Sequence, residues 1–153
     1  MVVREAVASD AEAMSAVLQG LVAAGKRHTR SDVLYTRSHY LEHPQRLHCF
    51  VVVEGREEIL GFQSLKVAAE GNPYGTTTGW GIIGTHVSPS AARRGVGARL
   101  FEATREGARA AALPAIEAYI GRENEAALAY YEALGFRTYR TPKGIICKVL
   151  KLI

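Results

Sequence analysis

A glycine-rich turn in the middle of the chain has the residue types needed to bind a diphosphate. Residues 87–98 read VSPSAARRGVGA, with a proline after a predicted strand and two glycines at the start of a predicted helix. Backbone N–H groups at a helix N-terminus are free to bind an anion, which the helix dipole also favours. Gly95 and Gly97 have no side chain to keep a diphosphate away from those groups. Arg93 and Arg94 add positive charge.

Other phosphate-binding motifs do not fit this turn. A P-loop needs Gly-Lys followed by Ser or Thr, and the sequence contains no such run. A dinucleotide-binding turn needs a third glycine where Leu100 stands, and it belongs near the start of a βαβ unit.

A second segment, residues 124–136, combines an amide, a phenol and a glycine stop. Asn124 is suited to cap the predicted helix, and Gly135 to end it. Tyr131 taken alone is a helix residue that packs on a sheet, and its phenol, of pKa about 10, stays protonated at neutral pH. We expect the adjacent Tyr130 to be a packing residue.

The hydrophobic pattern predicts seven strands and four helices, which gives an α/β fold with a mixed sheet and helices on both faces. The predicted strands are 2–7, 47–54, 59–67, 76–87, 115–120, 136–140 and 145–152. The first predicted helix follows a Ser9–Glu12 capping box and ends at Gly25. The others cover residues 31–43, the stretch from the glycine-rich turn to about Leu113, and residues 124–134. Turns are predicted at 55–57 and 141–144.

Both segments resemble the GNAT superfamily of acyl-CoA-dependent N-acyltransferases. The family's phosphate motif is Arg/Gln-x-x-Gly-x-Gly/Ala after a Val-x-Pro strand end, and residues 87–89 and 94–97 are in register with it. Ala92 departs from the motif, because it stands where the family usually has Arg or Gln. The family's second motif, Asn-x-x-Ala-x-x-x-Tyr-x-x-x-Gly-Phe, is matched by residues 124–136.

The resemblance implies one GNAT domain over residues 1–153, with a mostly antiparallel sheet that contains a splayed parallel strand pair. It implies that acetyl-CoA, as a co-substrate, lies between the strand that ends at Val87 and strand 115–120. The residues implied to bind it are Val87, Ser88, Ala92, Arg93, Arg94, Gly95, Val96, Gly97, Ala98, Asn124 and Tyr131.

The implied reaction is direct attack by a primary amine on the thioester in a ternary complex. Tyr131 would protonate the leaving thiolate, and a backbone N–H near residues 86–88 would polarise the acetyl carbonyl. Deprotonating an amine of pKa about 10.4 at pH 7 costs roughly 4.6 kcal/mol, so a general base would help. His86 is the first candidate base and Glu117 the second. A simply hydrogen-bonded histidine and a solvent-facing glutamate are the alternatives.

A basic segment follows the first predicted helix and includes the second. Four of the five histidines occur among the lysines and arginines of residues 26–48. His39 and His43 are four residues apart, but no third ligand accompanies them, so we predict no metal site. In the family this segment borders the acceptor pocket, which favours an acceptor amine that carries a negative charge.

Composition limits the remaining function classes. A chain of 153 residues with net charge +4 has no predicted membrane span and no signal peptide, so we expect a cytoplasmic protein. Two cysteines outside both motifs argue against a covalent acyl-enzyme. The modest basic excess has no interleaved aromatic residues, which disfavours nucleic-acid binding.

We therefore expect an acetyltransferase acting on a small-molecule amine, and a homodimer, since many relatives are dimers. Acetylation of a protein N-terminus or lysine is the alternative reaction. A non-catalytic acyl-CoA-binding regulator on the same fold is the alternative from another class.

Overall fold

The fold is a single seven-stranded mixed sheet, seen in a computed structural model that describes residues 1–56 and 58–153. The strands lie in the order β1-β2-β3-β4-β5-β7-β6, and every neighbouring pair is antiparallel except β4 and β5. Their bounds are β1 Val2–Glu5, β2 Arg46–Glu54, β3 Glu58–Val67, β4 Gly81–Val87, β5 Ala115–Gly121, β6 Arg137–Arg140 and β7 Ile145–Lys151. The predicted fold class is confirmed.

Four helices accompany the sheet: α1 Ala11–Ala23, α2 Val33–Thr36, α3 Val96–Ala110 and α4 Glu125–Ala133. A single π-helical turn, Arg37–Leu41, continues α2. Asn124 caps α4 by accepting a hydrogen bond from the Ala127 N–H at 3.1 Å. Gly25 and Gly135 have φ of +73° and +103°, so both predicted glycine stops are confirmed.

The parallel pair of β4 and β5 is short, and a gap opens where the pairing ends. β4 and β5 pair only between residues 81–83 and 116–118. β4 runs on to Val87 with β3 as its partner on the other side, while β5 runs on to Gly121 paired with β7. The carboxyl-terminal halves of the two strands therefore diverge and leave a gap between them.

Each face of the sheet has its own core, as the period-two alternation of strand side chains requires. On the α1 side, Met14, Leu18 and Phe62 are fully buried together. On the α3 and α4 side, Leu65 and Phe136 belong to a second group of buried apolar residues. The sheet is thus covered on both faces, and α3 and α4 pack on the same face of it.

The predicted capping box is wrong. Asp10, not Ser9, closes the turn before α1: its carboxylate accepts from the Val7 N–H at 2.8 Å and from Arg4. Residues 8–10 form a 3₁₀ turn, so α1 begins at Ala11 and Glu12 falls too late to reach back. The first strand accordingly ends at Glu5.

The fourth predicted strand is too long, since β4 begins at Gly81 rather than at residue 76. The Asn72 side chain bonds the Thr76 backbone through both its N–H and its oxygen, which holds a loop there. Gly79, with φ +90°, then turns the chain into β4.

Smaller differences lie at element ends. The second predicted helix starts two residues late, at Val33, because Asp32 caps it through Tyr35 N–H. α3 stops at Ala110, and Ala112 leaves the helix with φ +57°. The last turn is one residue later than predicted, with Ile145 N–H bonded to the Pro142 carbonyl. Residues 55 and 56 form the predicted turn, while Glu57 lies outside the described residues.

Candidate active site

A cavity of about 760 Å³ occupies the gap between β4 and β5. The carboxyl-terminal half of β4, the start of α3, the end of β5 and one side of α4 bound it. Of the site residues predicted from the sequence, all except Arg94 and Glu117 line it: His86, Val87, Ser88, Ala92, Arg93, Gly95, Val96, Gly97, Ala98, Asn124 and Tyr131.

The start of α3 faces this cavity with its free backbone donors. Arg99 N–H is bonded to the Gly95 carbonyl at 3.1 Å, so Gly95 is the residue that caps the helix. The N–H groups of residues 95–98 precede that first helical bond and have no partner within the helix. Gly95 has φ +79°, a conformation in which a side chain is strained.

The two arginines of the turn have different positions. Arg93 lines the cavity and has φ +62°, so the backbone is left-handed at this residue. Arg94 instead pairs with Glu54, at 2.5 Å between Nη2 and Oε2, and does not line the cavity. Only one of the two predicted charges is therefore directed to the site.

Tyr130 holds the second glycine of the turn. Its hydroxyl donates to the Gly97 carbonyl at 2.7 Å. A Cβ built on Gly97 would lie 2.7 Å from the Tyr130 ring, closer than real Cβ atoms come to a neighbour. Glycine is required here by close approach and not by backbone conformation. Tyr130 also lines the cavity, so it is more than the packing residue expected from the sequence.

A chain of hydrogen bonds joins Tyr130 to Tyr131 through two polar residues. Because the Gly97 carbonyl can only accept, the Tyr130 oxygen is left to accept from Gln63 Nε2 at 3.0 Å. The second N–H of Gln63 donates to Thr85 Oγ1 at 2.9 Å, and Thr85 Oγ1 lies 2.7 Å from the Tyr131 hydroxyl. Thr85 can then donate its one hydrogen to Tyr131, which frees the Tyr131 hydrogen for the cavity.

Both tyrosines remain protonated at neutral pH. Burial raises the pKa of Tyr130 to about 12 and raises that of Tyr131 well above its ordinary value of 10. Tyr131 is 4% exposed and contacts Phe136 and Tyr130 through its ring, so its hydroxyl has a fixed position at the cavity wall.

The carboxyl-terminal end of β4 also presents backbone donors to the gap. Ser88 N–H bonds to the Leu60 carbonyl across the β3 side, at 2.8 Å. Since successive N–H groups of a strand point to opposite edges, those of Thr85 and Val87 point to the edge from which β5 has diverged.

His86 sits at the cavity wall beside Tyr40. Its Nε2 lies 3.1 Å from the Tyr40 hydroxyl, and its ring packs against Phe62 with 4.9 Å between centroids. Burial, with further contributions from nearby cations, lowers the pKa of His86 to about 3. The imidazole is therefore neutral at pH 7 and has little tendency to take up a proton.

Glu117, on β5, does not line the cavity. Its side chain is fully buried, and its carboxylate accepts hydrogen bonds from Thr76, Tyr139 and Arg140. The Arg140 Nη2 is 2.9 Å from Glu117 Oε2 and also bonds the Tyr74 carbonyl at 2.8 Å. These contacts tie the loop before β4 to β5 and β6, so the described geometry gives Glu117 a role in positioning that loop.

Several residues at the cavity wall or directly behind it have no signal in the two sequence motifs. Gln63 and Thr85 come together by the register of β3 and β4, in which they are direct partners. Lys26, Arg27 and Tyr119 reach the wall from the end of α1 and from β5. The local signal for the contact with Thr85 is Gln63 itself, a polar residue that follows the apolar Phe62 in β3.

Within the described residues, no helix has the length and apolar character to cross a membrane. No group of three or more histidine, cysteine, aspartate or glutamate side chains in that part of the chain is placed to hold a metal ion.

Comparisons with known proteins point to one family. A model described as the acetyltransferase (GNAT) family matches residues 15–136. A GCN5-related N-acetyltransferase from Kribbella flavida superposes with a TM-score of 0.80 at 21% identity, covering 99% of this chain and 97% of that one. A search of curated proteins gave no significant match.

Two further solved structures hold a coenzyme. The yncA protein of Salmonella typhimurium, solved with its cofactor acetyl-CoA, has a TM-score of 0.70 at 19% identity and covers 99% of this chain and 94% of its own. The PaiA N-acetyltransferase of Thermoplasma acidophilum, solved with coenzyme A, has a TM-score of 0.75 at 14% identity, with 98% of each chain covered. At these identities the likeness shows the shared fold.

Proposed function

Because the chain belongs to the acetyltransferase (GNAT) family, we propose that it transfers the acetyl group of acetyl-CoA to the primary amine of a small molecule. The observation that carries the proposal is the cavity between the diverging halves of β4 and β5, with free helix N–H groups at one end and the Tyr131 hydroxyl at its wall.

The residues present fit acetyl-CoA. The N–H groups of residues 95–98 and the Arg93 side chain would hold its diphosphate. The absence of a side chain at Gly97 lets the Tyr130 ring pack against this turn. A hydrogen bond to a charged group contributes about 1.5–3 kcal/mol, so a few such bonds suffice for tight binding. Asn124 would contact the co-substrate while it also caps α4. When bound, acetyl-CoA supplies a thioester carbonyl activated toward nucleophiles.

Tyr131 would act as the proton donor. A thiolate of pKa about 8.5 leaves when the amine attacks, and a protonated phenol can donate a hydrogen bond or a proton to it. Thr85, by donating to the Tyr131 oxygen, would both orient the phenol hydrogen toward the cavity and stabilise the oxygen as it loses that hydrogen. The Val87 N–H would donate to the acetyl oxygen as negative charge develops there.

The acceptor amine must lose its proton, and His86 is a weak base for that task. With a pKa of about 3, its imidazole would take up a proton only at a high free-energy cost. We propose that His86 accepts a hydrogen bond from an amine that enters uncharged, and that the released proton leaves to solvent. Both cysteines are buried, and burial raises the pKa of Cys49 to about 12, which supports direct transfer without an acyl-enzyme.

A thiol-release assay with acetyl-CoA and a library of small primary amines and peptides tests the proposal. We expect turnover with a subset of the small amines and none with peptides. Turnover confined to peptides would favour acetylation of a protein. Binding of acetyl-CoA without turnover of any amine would favour the non-catalytic regulator.

A further inference from the structure

A buried lysine without a carboxylate partner lies on the face of the sheet behind His86. Lys66, on β3, is 6% exposed. Its Nζ contacts His39 Nε2 at 3.2 Å and lies 5.6 Å from the centre of the Tyr40 ring. Among residues 1–56 and 58–153 no carboxylate is paired with it. Burial lowers the pKa of Lys66 to about 8, so it is still mostly charged at pH 7. A buried cation without an anion is costly, which makes such a position unusual.

Arg27 is a second cation without a carboxylate partner, and it lies at the cavity itself. It lines the cavity, and its guanidinium donates to Ser31 Oγ and to the Arg30 carbonyl, both at 2.8 Å. Neither contact carries a negative charge, and no carboxylate within the described part of the chain pairs with it. Two other half-buried arginines, Arg46 and Arg140, are paired with Glu5 and Glu117.

The sheet register connects these cations to the reaction centre. Phe62, Ser64 and Lys66 of β3 lie opposite His86, Gly84 and Ile82 of β4, on one face. Between Lys66 and His86 the floor consists of the small residues Ser64 and Gly84; a Cβ at Gly84 would come 3.1 Å from Ser64 Oγ and 3.8 Å from His86 Nε2.

Tyr40 contacts residues at both ends of this floor. Its hydroxyl is hydrogen-bonded to His86 and its ring faces the Lys66 ammonium. A molecule that presents an amine beside His86 would lie in the cavity that Arg27 lines and next to Tyr40, whose ring faces Lys66. Burial, with a contribution from Lys66, lowers the pKa of His39 to about 4, so His39 adds a hydrogen-bonding group and no charge.

We infer that the acceptor is an amine that also carries a carboxylate, which pairs with Arg27 and Lys66 while its amine lies beside His86. This inference rests on the proposed transfer to a small amine. A planar guanidinium and an ammonium are the side chains that bind carboxylates most strongly, and their unmet charge here would be neutralised on binding.

Paired acceptors test the inference. The thiol-release assay compares amino carboxylates with the same molecules as primary carboxamides, using the unaltered protein, Lys66→Met, Arg27→Gln and the control Lys143→Gln, whose side chain is exposed on the turn between β6 and β7. We expect the unaltered protein to favour the carboxylate at least tenfold in kcat/KM. Lys66→Met and Arg27→Gln should each raise KM for the carboxylate at least tenfold, leave kcat nearly unchanged, and leave the carboxamide unaffected.

Equal kcat/KM for carboxylate and carboxamide would overturn the inference and leave the proposed transfer intact. An equal loss on both acceptors in Lys66→Met and Arg27→Gln would overturn it too. No turnover of any amine, with acetyl-CoA still bound, would overturn the proposed function and this inference with it. Lys66→Met replaces a buried charge with an apolar chain of similar length, which proteins tolerate well. Should it fail to fold by circular dichroism, Arg27→Gln decides the test alone.

Discussion

Thr85 Oγ1 lies 2.7 Å from the Tyr131 hydroxyl, and the same threonine oxygen accepts from Gln63. Thr85 can therefore donate its one hydrogen to the Tyr131 oxygen, which leaves the phenol hydrogen for the cavity. In the proposed mechanism Tyr131 donates the proton, and Thr85 orients the Tyr131 hydroxyl.

Removing the phenol hydroxyl should slow chemistry and spare coenzyme binding. We expect Tyr131→Phe to lower kcat by about 10²-fold or more, the range for loss of a general acid, with the acetyl-CoA dissociation constant nearly unchanged. Thr85→Val should lower kcat by a smaller factor, and Thr85→Ser, which keeps the hydroxyl, should restore most of it. Steady-state kinetics and calorimetry measure both quantities. A Tyr131→Phe variant with unaltered kcat would remove Tyr131 from the mechanism.

The close contact between Gly97 and Tyr130 makes this glycine sensitive to a single methyl group. Gly97→Ala would push its Cβ into the Tyr130 ring at 2.7 Å, displacing the ring or the start of α3. We expect the coenzyme A dissociation constant to rise at least tenfold. Gly20→Ala is the matched control, because its Cβ would meet its nearest neighbour at 3.6 Å and alanine favours a helix. Equal affinities in the two variants would count against the contact.

The two arginines of the turn should respond differently. Arg93→Asn removes a charge at the cavity and keeps a residue type that accepts a left-handed backbone. Arg94→Gln removes a charge that is paired with Glu54 instead. We expect coenzyme A binding to weaken about tenfold in Arg93→Asn, with a reduced dependence on salt, and to change less than twofold in Arg94→Gln. The reverse order would show that Arg94 turns toward the ligand.

The dependence of kcat/KM on pH should show no titration of a histidine. Because the pKa of His86 is lowered to about 3, the imidazole is neutral throughout the range from pH 5 to 8 and does not change charge there. We expect log kcat/KM for an acceptor to rise by about one per pH unit toward the pKa of its own amine, without an inflection near 6.5. An inflection between pH 6 and 7.5 that disappears in His86→Asn would instead identify His86 as the base.

Glu117 should prove structural. Glu117→Gln leaves Arg140 without its anion, and we expect a loss of roughly 3 kcal/mol in the free energy of unfolding. Activity at low temperature, where the variant is folded, should stay within about threefold of the unaltered protein. Arg30→Gln, which breaks an exposed pair with Asp32, should leave the free energy of unfolding nearly unchanged. If Glu117→Gln lost activity without losing stability, Glu117 would again be a candidate for the general base.

The parts of the site that the sequence predicts are the local ones. The turn at 93–97 and the cap at Asn124 are specified by neighbours along the chain, because a helix start needs only a few consecutive residues. Tyr131 is predicted through its motif, although the sequence could not show that Thr85 Oγ1 lies 2.7 Å from its hydroxyl.

The long-range contacts could not be predicted in the same way. Gln63 meets Thr85 only through strand register, and one residue of slip would send each to the other face. Tyr130 was expected to pack, yet it also reaches the Gly97 carbonyl, because the path of α4 against α3 brings its hydroxyl there. The unpaired state of Lys66 depends on which carboxylates lie nearby, and the sequence alone does not specify that.

The central claim is that the start of α3 holds the diphosphate of acetyl-CoA. A calorimetric titration of the unaltered protein with acetyl-CoA and, separately, with acetyl-pantetheine tests it most directly, since the second molecule has the same thioester and lacks the diphosphate. We predict saturable binding of one acetyl-CoA per chain and an affinity for acetyl-pantetheine lower by about 10²-fold or more, the loss of two or more charged hydrogen bonds. No heat with acetyl-CoA, or equal affinity for both molecules, would contradict the account.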